Sequence, residues 1–553
     1  MHHYRKLVGV LTAAALALSA CGSGDDTSTE AVDASSIAVA DYLELDRDEI
    51  QDGGSLTTAI GEISDQQNTF HANGTAYTST LWSWYNPVLL LSTPEGEVTP
   101  NPDYLTDISD AEEDGNTVVT YTINDQAEFN DGTPIDWRAF ETTWLINNGE
   151  SDEYVPSSTD GYEQIADVSA GDNEKEVVVT FDGVYPWWET MFTNIAHPAL
   201  ADPANYNSYV QEVHPEWGAG PFKVENVDFN RGEATFVPNE KWWGNEPKLD
   251  RRVFRQMESQ AAINAFRNGE IDATGVADRD RYSNVQDMSG IEIRVGRATR
   301  NSLYLLNGSS DILQDITVRE AVATALDREQ LSKIWFQGLP YSETPPGSFT
   351  LYSFQDDYED NFSAVASYDP DKAAELLDEA GWTEDGEYRS KDGKPLTLRY
   401  ALVGESEQTT ADARAAQQML GDVGINLEIT TFPSSEFSRI WESKDYDIFP
   451  MGFSSSAADG VSSFGQLYLS DSGLNASDTG TPELDAKIRE MQKLSTKEEQ
   501  TERANELEKE ALALFGIIPM TNGADIVAIK EGLANYGPMG FGRVPIENIG
   551  WKA

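Results

Sequence analysis

Gly424-Ile425-Asn426-Leu427-Glu428-Ile429 reads as a strand, Ser435 to Glu442 as a helix and Asp447-Ile448-Phe449-Pro450-Met451 as a second strand. Strand, helix and strand make a βαβ unit, which lays its two strands parallel. Ligands favour the crevice beyond the carboxyl ends of such strands. The segment just after Met451 is therefore the leading candidate for a ligand loop, on an α/β fold.

Flanking segments extend this pattern. Ala411 to Leu420 reads as a helix leading into the unit. Asp369 is placed to cap a helix with Pro370 at its first position; Ala373, Leu376, Leu377 and Ala380 form its apolar face, and Gly381 ends it. Residues 483–515 carry Leu484, Ile488, Met491 and Leu494, then Ala504, Leu507, Ala511 and Leu514, which predicts two amphipathic helices. Towards the front, Gly53 to Ile60, Thr117 to Ile123 and Val177 to Phe181 read as strands. Asn130-Asp131-Gly132-Thr133-Pro134 is a turn cluster, and Asp136 can cap a helix through Trp137, Phe140 and Trp144. Gln66 to Tyr85 is a polar, aromatic-rich loop, and no internal repeat is visible.

Several of these stretches, in this order, resemble the extracytoplasmic solute-binding proteins of the oligopeptide/dipeptide ABC importer family (family 5). Tyr121-Thr122-Ile123, Phe129 to Ile135 and the aromatic helix open the match. Gly218-Ala219-Gly220-Pro221-Phe222, then Pro238-Asn239 with Trp242-Trp243-Gly244 and Pro247-Lys248-Leu249-Asp250, continue it. Phe266 to Asp272, Asp315 with Val318-Arg319-Glu320-Ala321 and Ala325 to Arg328, and Tyr368-Asp369-Pro370 with Ala380-Gly381-Trp382 complete it. The resemblance covers roughly residues 55–550 and implies an α/β, two-lobed periplasmic-binding-protein-like fold (type II, large three-subdomain variant) with the ligand cleft between lobes. It implies a lobe-one core from 53–91, 216–303 and 516–553, an extra subdomain of that lobe at 92–215, and lobe two at 304–515. Chain crossings near Tyr304–Asn307 and Ile517–Met520 would form the hinge. The implied activity is capture of oligopeptide by hinge closure and delivery to ABC permease subunits, by a monomer without a cofactor or catalytic residues.

In peptide-binding relatives an Asp in the loop after Gly-Trp clamps the ligand's free α-amine. Aligning Met451-Gly452-Phe453 with that motif puts Phe453 at the tryptophan position and Ser456 at the clamping position, with Asp459 three residues on. A hydroxyl cannot supply the charge that a buried ammonium needs. Either Asp459 reaches in from the loop that contains Ser454, Ser455 and Ser456, or the ligand lacks a free amine, as an oligosaccharide or modified peptide would. Phe453, Ser454, Ser456 and Asp459 are accordingly the leading site residues. His71, Asn73 and Tyr77 are candidates from lobe one, and Trp82, Trp84 and Trp217 flank polar loops where they could face ligand. Trp137, Trp144, Trp243 and Trp382 are assigned to packing, and His197 to a satisfied surface histidine.

The N-terminus carries a second signal. Arg5 and Lys6 precede an apolar run from Leu7 to Leu18, too short to span a membrane and of the length of a signal-peptide core. Leu18-Ser19-Ala20-Cys21 resembles a lipoprotein cleavage site, with Cys21, the one cysteine in 553 residues, as the acylated new terminus. Residues 1–20 then form the signal and 21–52 the acylated cysteine and a polar, acidic spacer. This predicts a protein outside the cytoplasm, anchored to the cell membrane.

Composition excludes other classes. Ninety-five acidic residues against 38 basic ones give a net charge of −57, a field that repels nucleic-acid phosphates. Gly-x-Ser-x-Gly, Ser-x-x-Lys, His-Glu-x-x-His and a phosphate-binding glycine loop are all missing. Carboxylate pairs abound, but among 95 acids they carry little information; a surface glycoside hydrolase is the rival from another class. The acidity itself points to a salty exterior, where counterions screen self-repulsion. The melting temperature is expected to rise between low and molar NaCl; a salt-independent melt would refute that adaptation.

Overall fold

The computed structural model describes residues 32–404, 406–455 and 458–553. The signal segment, Cys21 and Ser456 lie outside them. Two sheets organise the chain. The first, seven-stranded, runs Ile291–Arg297, Ala524–Lys530, Ala273–Gly275, Ser55–Ile60, Arg251–Gln256, Glu233–Pro238 and Phe222–Asp228. The second, five-stranded, runs Asn426–Phe432, Thr397–Val403, Ile448–Ser454, Arg300–Leu306 and Ile517–Thr521. A four-stranded antiparallel sheet (Leu105–Glu113, Asn116–Ile123, Glu176–Phe181, Ile165–Ala170) stands apart, packed on the helix Trp137–Asn147 that Asp136 caps. We call the body around the first sheet lobe one and that around the second lobe two.

The βαβ reading holds in direction and misses one strand. Asn426–Phe432 and Ile448–Ser454 are both parallel to Thr397–Val403, which lies between them. The helix Glu407–Asp422 makes the connection between the neighbouring strands, and Phe437–Ser443 crosses over to the far side of Thr397–Val403. Leu398, Tyr400, Leu427, Ile448 and Phe449 are all buried, as parallel strands covered on both faces require. Each such aliphatic side chain contributes about 1.5–3 kcal/mol on burial.

The hinge differs from expectation. Arg300–Leu306 and Ile517–Thr521 are paired strands of lobe two, so the chain crosses at 298–299 and 522–523, not at Tyr304–Asn307 and Ile517–Met520. Residues 516–521 therefore lie in lobe two. The apolar strands that suggested a crossing are hydrophobic because they sit inside a sheet. Asn522 joins the crossings: its Nδ2 donates to Arg300 O (3.2 Å) and Asn301 Oδ1 (2.6 Å). Glu343 accepts from the backbone N–H of Asn522 and Gly523 (2.6 and 2.9 Å).

Beneath the second sheet, Asp412 is 4% exposed and accepts a hydrogen bond from the Tyr304 hydroxyl. Burial pushes its carboxyl up to about 7. The folded protein thus holds a proton there that the unfolded chain releases near its ordinary carboxylate value. The stability this proton carries is complete below pH 4 and is lost as pH rises through 7, at about 1.4 kcal/mol per pKa unit. Asp412→Asn, which keeps the acceptor and removes the charge, is expected to flatten the fall in melting temperature between pH 5 and 8, read by circular dichroism.

Candidate functional site

Both lobes present the carboxyl ends of parallel strands to each other. In lobe one Ser55–Ile60 leads to Glu62 and Arg251–Gln256 leads to Glu258; in lobe two Asn426–Phe432 leads to Ser434. These ends touch. Glu258 accepts from Ser434 N (2.6 Å) and Oγ (2.8 Å), and Glu62 accepts from Ser438 Oγ (3.0 Å). Burial pushes Glu62 up to about 7, against the lowering effect of its serine donors Ser438 and Ser64. Tyr77, on the helix Ala76–Trp82 capped by Thr75, sets its ring edge-on to Phe437 of lobe two at 6.4 Å. Burial, then Glu62 and Glu258, push the Tyr77 hydroxyl up.

Contacts also join residues 92–215 to lobe two. Trp187 Nε1 donates to Gln500 Oε1 (2.7 Å). Asp160, pushed up to about 7 by burial, accepts from Gln466 N (2.6 Å) and Gln492 Nε2 (2.7 Å). Arg489 pairs with Glu163 at 2.7 Å. The apolar core is continuous here: Tyr185, Trp187 and Phe192 belong to the same cluster as Val461, Phe464 and Met491.

A cavity of about 580 Å³ is edged by Glu95 and Trp187 of residues 92–215, Arg297 at the crossing, and Gln355, Asp459 and Lys497 of lobe two. Its size falls within the range of ligand sites. Lys497 Nζ sits 3.4 Å from Asp459 and 2.9 Å from Glu189, and 5.2 Å from the centre of the Trp187 ring. Two carboxylates and an aromatic face thus surround one ammonium, the set of acceptors that recognises such cations.

Of the residues singled out in the sequence, Asp459 reaches this cavity and Tyr77 reaches the interlobe contact. Phe453 is half-buried against Phe349 (5.4 Å) and Trp441 (6.0 Å) within lobe two, and Ser454 is exposed at the end of its strand, paired with Arg300. His71 is turned inward. Its Nδ1 accepts from Asn73 N (3.0 Å), its ring stacks on Tyr206 (5.7 Å), and burial pushes its pKa down. Trp217 is stacked between His214 (4.1 Å) and His197 (5.6 Å), which occupy its faces. His197 is buried, not superficial, and lies 3.3 Å from Asp131. Trp82 and Trp84 are core residues of lobe one, the first wedged among Phe70, Tyr85 and Tyr209. Sequence reading missed Glu62, Glu258, Trp187, Glu189, Phe437 and Lys497. Glu62 and Glu258 share one signal, each being two residues beyond the end of a parallel strand whose carboxyl edge faces the cleft, but only the strand before Glu62 was read from the sequence.

The sequence profile of the bacterial extracellular solute-binding proteins, family 5 Middle, matches residues 99–475. The chain belongs to this family. The oligopeptide-binding protein OppA of Mycobacterium tuberculosis is 31% identical to this family 5 chain over 522 residues, 93% of this chain and 87% of the relative. The solved structure of the periplasmic EDTA-binding protein EppA superposes with a TM-score of 0.78 at 25% identity, covering 94% of this chain and 99% of that one. That of the oligopeptide-binding protein AppA from Bacillus subtilis, in complex with a nonapeptide, gives 0.75 at 19%, covering 91% and 100%. The fold is thus the α/β periplasmic-binding-protein-like fold, and the chain is a solute-binding protein of family 5. Among the described residues no helix is long and apolar enough to cross a membrane.

Each of the two bonds to Glu258 contributes about 0.5–1.5 kcal/mol net. Glu258→Ala is expected to shift the two lobes towards an open arrangement about tenfold. Small-angle scattering should record a larger radius of gyration; an unchanged one would show that the contact does not hold the lobes.

Proposed function

We propose that this family 5 protein is an oligopeptide receptor, anchored to the membrane through acylated Cys21, that closes its lobes on a peptide and hands it to ABC permease subunits. The observation that carries the reading is the interlobe cavity with its ammonium site at Asp459, Glu189 and Trp187. The oligopeptide-binding relative at 31% identity supports the same ligand class. Residues 92–215 act in this reading as the wall of lobe one that meets lobe two.

The mechanism is equilibrium closure without covalent chemistry. A ligand touching both lobes binds the closed arrangement better than the open one and shifts the population by that difference. The peptide's α-ammonium displaces Lys497 from Asp459, and Lys497 stays paired with Glu189. Asp459 thereby takes the part that Ser456 cannot. Acidic side chains lining the cavity outnumber basic ones five to two, which favours a ligand with a positive end. The peptide backbone finds hydrogen-bond partners in polar groups such as Gln355 and Thr501.

Mass spectrometry of small molecules released from the purified mature protein should find peptides with free amines; sugars would overturn the peptide assignment. Asp459→Asn is expected to weaken free peptides 10- to 100-fold in calorimetric titration while leaving amine-blocked peptides unchanged. Equal loss for both would remove Asp459 from the clamp.

A further inference from the structure

Lobe one contains a second cavity, of about 400 Å³, that does not share a lining residue with the Asp459 cavity. The two lie on either side of the segment 539–543: Met539 and Arg543 line the lobe-one chamber, and Phe541 lines the other. The chamber wall is mainly aromatic and apolar, with Trp84, Tyr104, Trp242 and Tyr536 among its residues.

Two polar groups in this wall lack partners. Arg543 holds its backbone in place by pairing with Ser92, yet its guanidinium makes no hydrogen bond or ion pair among the described residues. Burial alone pushes its pKa down, with no carboxylate close enough to oppose the shift. Asn86, 3% exposed, has an Nδ2 without a hydrogen-bond partner. Arg543 is half-buried, so its guanidinium is left to water, while leaving the buried Asn86 amide unpaired costs free energy that a hydrogen-bonding ligand would recover. The single acid of the wall, Glu547, is pushed up to about 7 by burial and shares a hydrogen bond with Asp103, so it offers an anion little repulsion below neutral pH.

We propose that this chamber is a ligand site for a carboxylate borne on an apolar or aromatic body, with the Arg543 guanidinium as counter-charge and the Asn86 amide as a second donor. Guanidinium and carboxylate match as a two-pronged pair, and the aromatic wall covers the rest of the ligand. The carboxylate can come from a free small acid or from the C-terminal residue of a peptide that extends beyond the 539–543 segment. The site does not depend on the amine clamp at Asp459 and is tested separately from it.

Calorimetric titration of the mature protein with N-acetyl-L-phenylalanine and N-acetyl-L-phenylalaninamide isolates the carboxylate. The acid is expected to bind at least tenfold more tightly than the amide. Arg543→Gln should abolish that preference without lowering the melting temperature, since the replaced group has no partner to lose. Arg543→Lys, which keeps the charge but not the fork, should retain part of it. Equal affinity for acid and amide, or a preference that survives Arg543→Gln, would overturn the proposal. A pentapeptide acid that gains tenfold over the short acid, and loses the gain in Asp459→Asn, assigns the carboxylate to a peptide terminus. No gain assigns it to a free acid.

Discussion

Everything in this molecule turns on two chain crossings that lie side by side. The strands that leave them in lobe two, Arg300–Leu306 and Ile517–Thr521, are hydrogen-bonded neighbours. In lobe one, Ile291–Arg297 and Ala524–Lys530 are likewise paired. The link between lobes is therefore a two-stranded ribbon, pinned in register by Asn522 and backed by Glu343. Ladder pairing on both sides resists shear, so the motion the ribbon allows is a bend at the short unpaired stretch. That constraint decides which surfaces can meet: the carboxyl edges of the parallel strands in both sheets.

The polar contacts across the cleft suit a receptor. Glu62, Glu258 and Asp160 satisfy serine and glutamine donors from the opposite lobe, bonds that water could replace at modest cost. Such contacts specify one closed register without making closure irreversible, and a ligand's own contacts are left to decide the balance. Where residues 92–215 meet lobe two, the apolar cluster around Trp187 and Phe464 adds a term that water cannot replace.

The fold was largely legible because its signals are local. Asp369, Pro370 and Gly381 bracket a helix in the sequence and bracket Pro370–Glu379 in the structure, with Gly381 at φ 83°. The family motifs were equally readable, since each is a turn or cap whose backbone demands particular residues. Thr397–Val403 went unseen because Arg399 interrupts its apolar run; that side chain reaches outward to Asp445 and Asp447. The site was less legible. Trp187, Glu189, Asp459 and Lys497 come from three segments whose meeting depends on how the lobes close, and no spacing in the chain encodes it. His71 and Trp217 misled for the converse reason: an aromatic beside a polar loop looks available until its faces are filled, as Tyr206 and the two histidines fill these.

Lys497 has a consequence for a protein with a net charge of −57. A bare pair of carboxylates in such a field would gather whatever small cations the surroundings supply. With the Lys497 ammonium already seated between Asp459 and Glu189, the pair is part-neutralised before any ligand arrives. In the proposed mode of binding Lys497 stays on Glu189, so an incoming α-ammonium adds one positive charge and each carboxylate ends with one ammonium of its own. On the proposed reading the resident lysine discourages small cations at Asp459 and leaves the site to the one cation that brings further contacts with it.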